Sequence, residues 1–159
     1  MADKAILQPF ALAWMVAAVM AVGAMAIAPV RAQGTGATLV IHVQQMSPKG
    51  GILRLGLYDE AGYPKDDAKP IASADVPAQP GRTTVTLSNI PPGTYAIQAY
   101  QDTNSNDRMD TSWLGIPQEP FGFSRDARPR LSKPGFAAAK FDVGPGANTQ
   151  TLNLQHSIL

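Results

Sequence analysis

Residues 102–110 read DTNSNDRMD, a run that sets oxygen-bearing side chains at alternate positions. Calcium takes six to eight oxygen ligands, and a tight loop supplies them from alternating Asp and Asn side chains plus a backbone carbonyl. In that pattern Asp102, Asn104, Asn106 and Asp110 offer side-chain oxygens and Arg108 offers its carbonyl. Two elements depart from it. Asp107 stands where glycine is usual, which is tolerable because Asp visits left-handed backbone more readily than most residues. Trp113 stands where a bidentate carboxylate closes the loop, and Glu119 replaces it only if the chain folds back. With so few carboxylates, a calcium affinity of about 10⁻⁴ to 10⁻³ M is the expectation. The alternative is that these side chains form Asx-turns, accepting nearby backbone N–H groups. A transition metal is not expected, because the two imidazoles, His42 and His156, lie far away in the chain.

Other residues admit chemistry with weaker support. Ser124, in GFSRD, lacks the flanking glycine of a nucleophile elbow and has no assigned base. Arg125, Arg128, Arg130 and Lys133 follow Phe121 and Phe123, and together they suit an anion such as a phosphate or a cell-wall carboxylate. A solvated loop is the plainer reading. Trp113, Phe121 and Phe123 suit a platform for the apolar faces of sugars, or else the loop's own small core.

The elements that must position these residues are strands. Leu39, Ile41 and Val43 alternate with Thr38, His42 and Gln44, and Leu53, Leu55 and Leu57 with Arg54, Gly56 and Tyr58, the period of half-buried strands. Residues 47–51, SPKGG, supply turn chemistry between them and suggest a hairpin. Residues 59–81 show no sustained period and leave room for one short edge strand near Ile71. Val85 and Leu87, then Tyr95, Ile97 and Ala99, mark two more strands around the turn NIPPG. Ala139, Phe141 and Val143 alternate with Lys140 and Asp142, and Gly144-Pro145-Gly146 then turns the chain into a last strand over residues 149–154. No amphipathic helix is legible. These signals predict an all-β domain, a two-layer antiparallel β-sandwich of transthyretin-like or immunoglobulin-like type, with six to seven strands.

Residues 102–136 lack periodicity altogether, and loops longer than about 12 to 15 residues are uncommon and usually functional or disordered. This one keeps Trp113, Leu114, Ile116, Phe121 and Phe123, which a disordered segment typically lacks. It is expected to be one long ordered loop, anchored by those residues and packed over one end of the sandwich.

The first 32 of the 159 residues differ from the rest. An uncharged run over residues 10–30 ends in Val30-Arg31-Ala32, small residues that suit signal-peptidase cleavage between Ala32 and Gln33. The run is also about as long as a membrane helix, so a retained anchor is the rival, opposed by Pro29 and the Ala-rich composition. Cleavage leaves a periplasmic or secreted domain, residues 33–159, with no membrane association of its own. Cleavage removes Lys4 and Arg31 from 13 basic residues and Asp3 from 12 acidic ones, so the domain has zero formal charge. A nucleic-acid partner, which needs clustered Lys and Arg, is excluded as an expectation. Without cysteine there are no disulfides, thiolate metal sites or cysteine nucleophiles.

The run PPGTYAIQAYQDTNSNDRMD, followed by GIPQEPFGFS, resembles the bacterial family called domain of unknown function 2141. The likeness is most specific over residues 91–124. The PPGTY turn also resembles that of transthyretin-like and carboxypeptidase-regulatory modules. The resemblance implies export and a β-sandwich and carries no activity. The sequence departs from the family pattern at Asp107, where glycine is usual, and at Gln101, where His is common.

The functional expectation is therefore a binding or interaction module of the cell envelope, not an enzyme. Its long loop would present a surface to a protein, small molecule or glycan, with calcium as the one cofactor considered. A metal-assisted or serine hydrolase using Ser124 or Asp102, Asp110 and Glu119 is one alternative, and a structural envelope protein another.

Overall fold

The computed structural model describes residues 36–63, 65, 67–130 and 132–156. Residues 1–32, over which a signal peptide is expected, lie outside them. Eight strands run in chain order: β1 Ala37–Met46, β2 Ile52–Tyr58, β3 Ala72–Pro77, β4 Gly81–Ile90, β5 Gly93–Asp102, β6 Phe121–Phe123, β7 Phe141–Val143 and β8 Ala147–Asn153. The only helical pieces among the described residues are single turns, Ser124–Asp126 and Phe136–Ala139. No helix among them is long and apolar enough to cross a membrane.

The strands form two sheets. The smaller has the order β4-β1-β8, and the larger β3-β2-β5-β6, with β7 also pairing β5. The two-layer all-β sandwich expected from periodicity is what forms. Every pair is antiparallel except β1 with β8, which is parallel. Inward residues alternate as read: Leu39, Ile41 and Val43 from β1, Leu53, Leu55 and Leu57 from β2, and Ile97 and Ala99 from β5 lie in one buried cluster. Each such Leu or Ile contributes roughly 1.5–3 kcal/mol on burial, so this shared interior holds the layers together.

Pairing differs from expectation in a consistent way. β1 and β2 do not form a hairpin; β1 pairs β4 and β8, while β2 pairs β3 and β5. The turns after β4 and after β7 likewise carry the chain from one sheet to the other. Alternation reports which face is buried and says nothing of which strand lies alongside, so an arch between sheets and a hairpin within one look alike in sequence. The edge strand expected near Ile71 is β3, one residue later. The strand count rises to eight because β6, three residues long, is too short to show a period, whereas β7 is the strand read from the alternation of Phe141 and Val143 with Asp142.

The arch after β1 is fixed by Gln101, which is fully buried. Its Oε1 accepts from Ser47 N at 2.7 Å, and its Nε2 donates to the carbonyls of Ser47 at 3.0 Å and Gly50 at 2.6 Å. Gly51 follows with φ +87°, where a Cβ would stand 2.1 Å from the Asp102 carbonyl, so only glycine lets the chain pass over the end of β5.

The described residues form one compact unit whose main hydrophobic cluster draws on residues from Ala37 to Leu154, the kind of core an independently folding domain requires.

Candidate functional site

Residues 102–136 do not cap one end of the sandwich. They lie against the outer face of the larger sheet and add β6 to its edge, in register with residues 98–100 of β5. Alternation places Arg54, Gly56 and Tyr58 of β2, and Gln98, Tyr100 and Asp102 of β5, on that outer face. Phe121 and Phe123 join Tyr63, Ala96, Ala127 and Ala139 in a second buried cluster. The two phenylalanines thus serve as core and are not an exposed platform.

Asp102 ends β5 and is fully buried. Its Oδ1 accepts the N–H of Asn106 at 3.0 Å, and its Oδ2 accepts the N–H of Asp107 and Nε of Arg54, both at 2.9 Å. Burial pushes the Asp102 carboxyl upward, but the Arg54 guanidinium and the two backbone N–H groups outweigh it and hold the group below the usual carboxylate range. The hydrogen bond to Asp102 raises Arg54 in return; burial opposes that rise, and Asp75 and Asp107 add to it. Arg54 reaches Asp75, its register partner on β3, and Asp107 as well. One guanidinium therefore ties β2, β3, β5 and the loop.

The remaining oxygens are engaged locally. Asn104 Oδ1 accepts Asn106 N at 3.2 Å and Asn106 Oδ1 accepts Arg108 N at 3.1 Å, both Asx-turns. The two amide NH₂ groups donate to Asp110, Asn104 to Oδ2 at 2.7 Å and Asn106 to Oδ1 at 2.9 Å. Arg108 adds its Nε near Asp110 at 3.7 Å. Asp107 holds φ +67°, the left-handed conformation anticipated for it. Among the described residues no three His, Cys, Asp or Glu side chains converge on one point. Asp102, Asn104, Asn106, Arg108 and Asp110 are thus neighbours, and as arranged the Asn104 and Asn106 NH₂ groups and the Arg108 guanidinium face the Asp110 carboxylate where a cation would be expected.

Glu119 does fold back, but onto backbone. Its Oε1 accepts Thr103 N at 2.7 Å and its Oε2 accepts Asp110 N at 3.2 Å. These bonds close the base of a small hairpin over residues 110–118. Gln118 N donates to the Asp110 carbonyl, Ser112 N to Ile116, and Gly115 N to Ser112, with Gly115 at φ +75°. Trp113 and Leu114 occupy the apex, 92% and 62% exposed. They do not anchor the loop as expected. The hydrogen-bonded turn and its acidic base order it, and this frees the two apolar side chains to face water.

Between the hairpin, the residues Pro129, Arg130, Ser132 and Lys133, and the sheet lies a cleft of about 610 Å³. That is within the ordinary range for small-ligand sites. Its floor includes Gly56, across which the Tyr58 ring lies so closely that a Cβ would meet it at 2.6 Å. Tyr100 and Gln98 line it from β5, and Thr111, Gly115 and Pro117 from the hairpin. Burial raises the Tyr100 phenol, which Arg54 lowers and Asp102, Glu119 and Asp75 raise further, so it is a neutral donor at physiological pH. Gln98 Nε2 is buried and has no hydrogen-bond partner. Lys65, Arg130 and Lys133 stand along the lining.

The other candidates separate. Ser124 is buried; its Oγ accepts Ile97 N at 2.9 Å and donates to the Ala139 carbonyl at 2.5 Å. His42 bonds Thr84 and His156 bonds the Gln45 carbonyl, so neither imidazole is brought to that serine. Arg125 turns away toward the Lys140 carbonyl, and Arg128 does not line the cleft, while Arg130 and Lys133 do. Sequence reasoning missed Arg54, Tyr58, Lys65 and Gln98 as site residues. Arg54, the only charged residue of β2, was a signal in principle, but its partners sit on strands whose pairing alternation does not reveal.

A β-sandwich hollowed on the outer face of its larger sheet, with an aromatic-tipped hairpin as one wall, is the class of protein these observations define. The chain belongs to the bacterial family described as an uncharacterized protein conserved in bacteria, domain of unknown function 2141, whose model matches residues 41–151. Comparison with curated proteins and with solved structures returned no match.

Proposed function

We propose that this protein is an exported ligand-binding module of the bacterial cell envelope, and that the cleft on the outer face of the larger sheet is its site. The cleft carries the reading. An outer sheet face is usually either solvated and polar or covered; this one is partly covered by the second hydrophobic cluster, of which Tyr58, Tyr100, Phe121 and Phe123 also line the open cleft. Its lining mixes tyrosine rings with a few polar groups, including an amide donor lacking a partner, the composition of a small-molecule site. The uncharged run ahead of Ala32 supports export. In this reading the Asp/Asn loop is scaffold: it holds the hairpin wall in place, and no cation is needed for that.

A fragment screen by ¹⁵N–¹H correlation spectroscopy on residues 33–159 tests the site. Hits should shift the amides of Gln98, Tyr100 and Thr111, and Ser73→Trp, which fills the cleft from the edge strand, should abolish them. Hits scattered elsewhere, or unaffected by that substitution, would sink the proposal. Export is tested by expressing the full chain in a bacterium and sequencing the amino terminus from the periplasmic fraction, which should begin at Gln33.

A further inference from the structure

The apex of the hairpin identifies the ligand class. This inference rests on the cleft being the binding site. An indole that is 92% exposed, beside a leucine that is 62% exposed, is not explained by folding, because neither joins a hydrophobic cluster. It is also not a floppy excursion. The turn satisfies its own backbone groups, with Ile116 N donating to Ser112 Oγ at 3.2 Å besides the bonds across the hairpin. The base is clamped by Glu119 and by the Asn104 and Asn106 amides on Asp110. Presenting a large flat side chain on a pre-ordered stalk lowers the ordering cost of binding.

Position adds direction. Thr111, Gly115 and Pro117 line the cleft, so Trp113 stands just beyond one wall, and a ligand that overruns this wall meets the indole. Such a ligand offers a flat, partly apolar face to Trp113 and to the tyrosines on the floor, and polar edges to the groups around them. Sugar rings have both: axial C–H faces that sit on the electron-rich face of an aromatic ring, and hydroxyl or amide edges that hydrogen-bond. Gln98 lines the cleft and has a donor to give, since its Nε2 has no hydrogen-bond partner. Lys65 and Arg130 make no ion pair among the described residues, whereas Arg54 is fully engaged by Asp75, Asp102 and Asp107. Two available cations on the lining favour an anionic group on the ligand.

We propose that the cleft and the Trp113 apex together bind a linear, carboxylate-bearing glycan chain, one ring seated in the cleft and a following ring stacked on the indole. A lipid surface is the competing occupant for an exposed Trp-Leu tip, but it would use the apex alone and leave the cleft, Lys65 and Arg130 without a part.

In residues 33–159 Trp113 is the only tryptophan, so its emission reports on the apex alone. The experiment titrates the domain with oligogalacturonate, with neutral chito-oligosaccharide, and with vesicles of phosphatidylcholine and phosphatidylglycerol, following Trp113 emission and the Gln98 side-chain NH₂ resonances. Oligogalacturonate should change both signals saturably with one affinity, and neutral chains should bind about tenfold more weakly. Trp113→Ala and the Lys65→Ala, Arg130→Ala pair should each weaken binding about tenfold without moving the unfolding midpoint. If the glycan shifts Gln98 and leaves Trp113 unchanged, the extended-chain proposal falls and the cleft stands. If vesicles alone change Trp113 emission, the apex belongs to lipid and the proposal falls. If neutral chains bind as well as acidic ones, the carboxylate is wrong. If no glycan produces either signal while the fragment screen still maps to the cleft, only the glycan class is overturned.

Discussion

Replacing Asp102 by Asn keeps the shape of the side chain and changes what one end of it can do. The carboxylate now accepts three N–H groups, from Asn106 on Oδ1 and from Asp107 and Arg54 on Oδ2. An amide has one oxygen. Whichever way Asn is turned, its NH₂ faces at least one of those donors, leaving a buried N–H without an acceptor and two donors in contact. A buried group left unsatisfied costs about 1–3 kcal/mol, and the surviving bonds lose their charge-assisted strength, so Asp102→Asn should destabilise the domain by about 2–4 kcal/mol at neutral pH. For a domain of this size that is a fall of about 10 °C in midpoint. The pH dependence follows from the lowered folded-state pKa of Asp102. A depressed carboxylate contributes stability that is complete above its unfolded pKa of about 3.9 and is lost as pH falls through the lower folded value. Urea unfolding of both proteins at about pH 7 and about pH 2 should therefore show a wide gap that narrows in acid. A gap under about 0.5 kcal/mol at neutral pH, or one that acid leaves unchanged, would refute the view that this carboxylate anchors the loop.

Other outcomes follow from the same geometry. Gly51→Ala puts a Cβ 2.1 Å from the Asp102 carbonyl at a φ of +87°, and should cost on the order of 3 kcal/mol or prevent folding, seen as loss of soluble domain or a lowered urea midpoint. Ser124→Ala removes the shared partner of Ile97 N and the Ala139 carbonyl in a buried site, and should cost about 2 kcal/mol in urea unfolding, with no loss of any ligand affinity of the cleft. Calcium at about 10 mM should leave the thermal midpoint where EGTA leaves it, since a Kd near 10⁻⁴ M would add roughly 2.7 kcal/mol and the loop's acceptors are already engaged. A rise abolished by Asp110→Ala would show that the ion can displace those bonds.

Periodicity was sufficient for the fold class, because whether a residue is buried is a one-body property written into each strand: Leu39, Ile41 and Val43, or Leu53, Leu55 and Leu57, face inward whatever lies beside them. The turn chemistry at residues 47–51 and 91–93 marked where the chain reverses. It did not say whether the next strand joins the same sheet, since that is settled by how two faces close on one core. The short strand β6 was illegible for a related reason: with Gly122 between two phenylalanines it carries no period, and only the open edge of β5 makes a strand of it.

The candidate site divides along the same line. The Asp/Asn spacing of residues 102–110 and the left-handed Asp107 were readable from local chemistry, since Asx-turns act over two to four residues. That Asp102 would be held by a guanidinium depended on Arg54, 48 residues earlier, arriving beside it. The apolar residues of the long segment looked equivalent in sequence. Burial of Phe121 and Phe123 and exposure of Trp113 and Leu114 came from docking against the sheet, which gave the phenylalanines a surface to cover and left the hairpin apex beyond it. The cleft is a property of spaces between elements, and no residue encodes it alone. Hydrophobic pattern and local hydrogen bonding thus determined the layers and the turn, while pairing, burial of the loop and the site itself awaited contacts between residues distant in the chain.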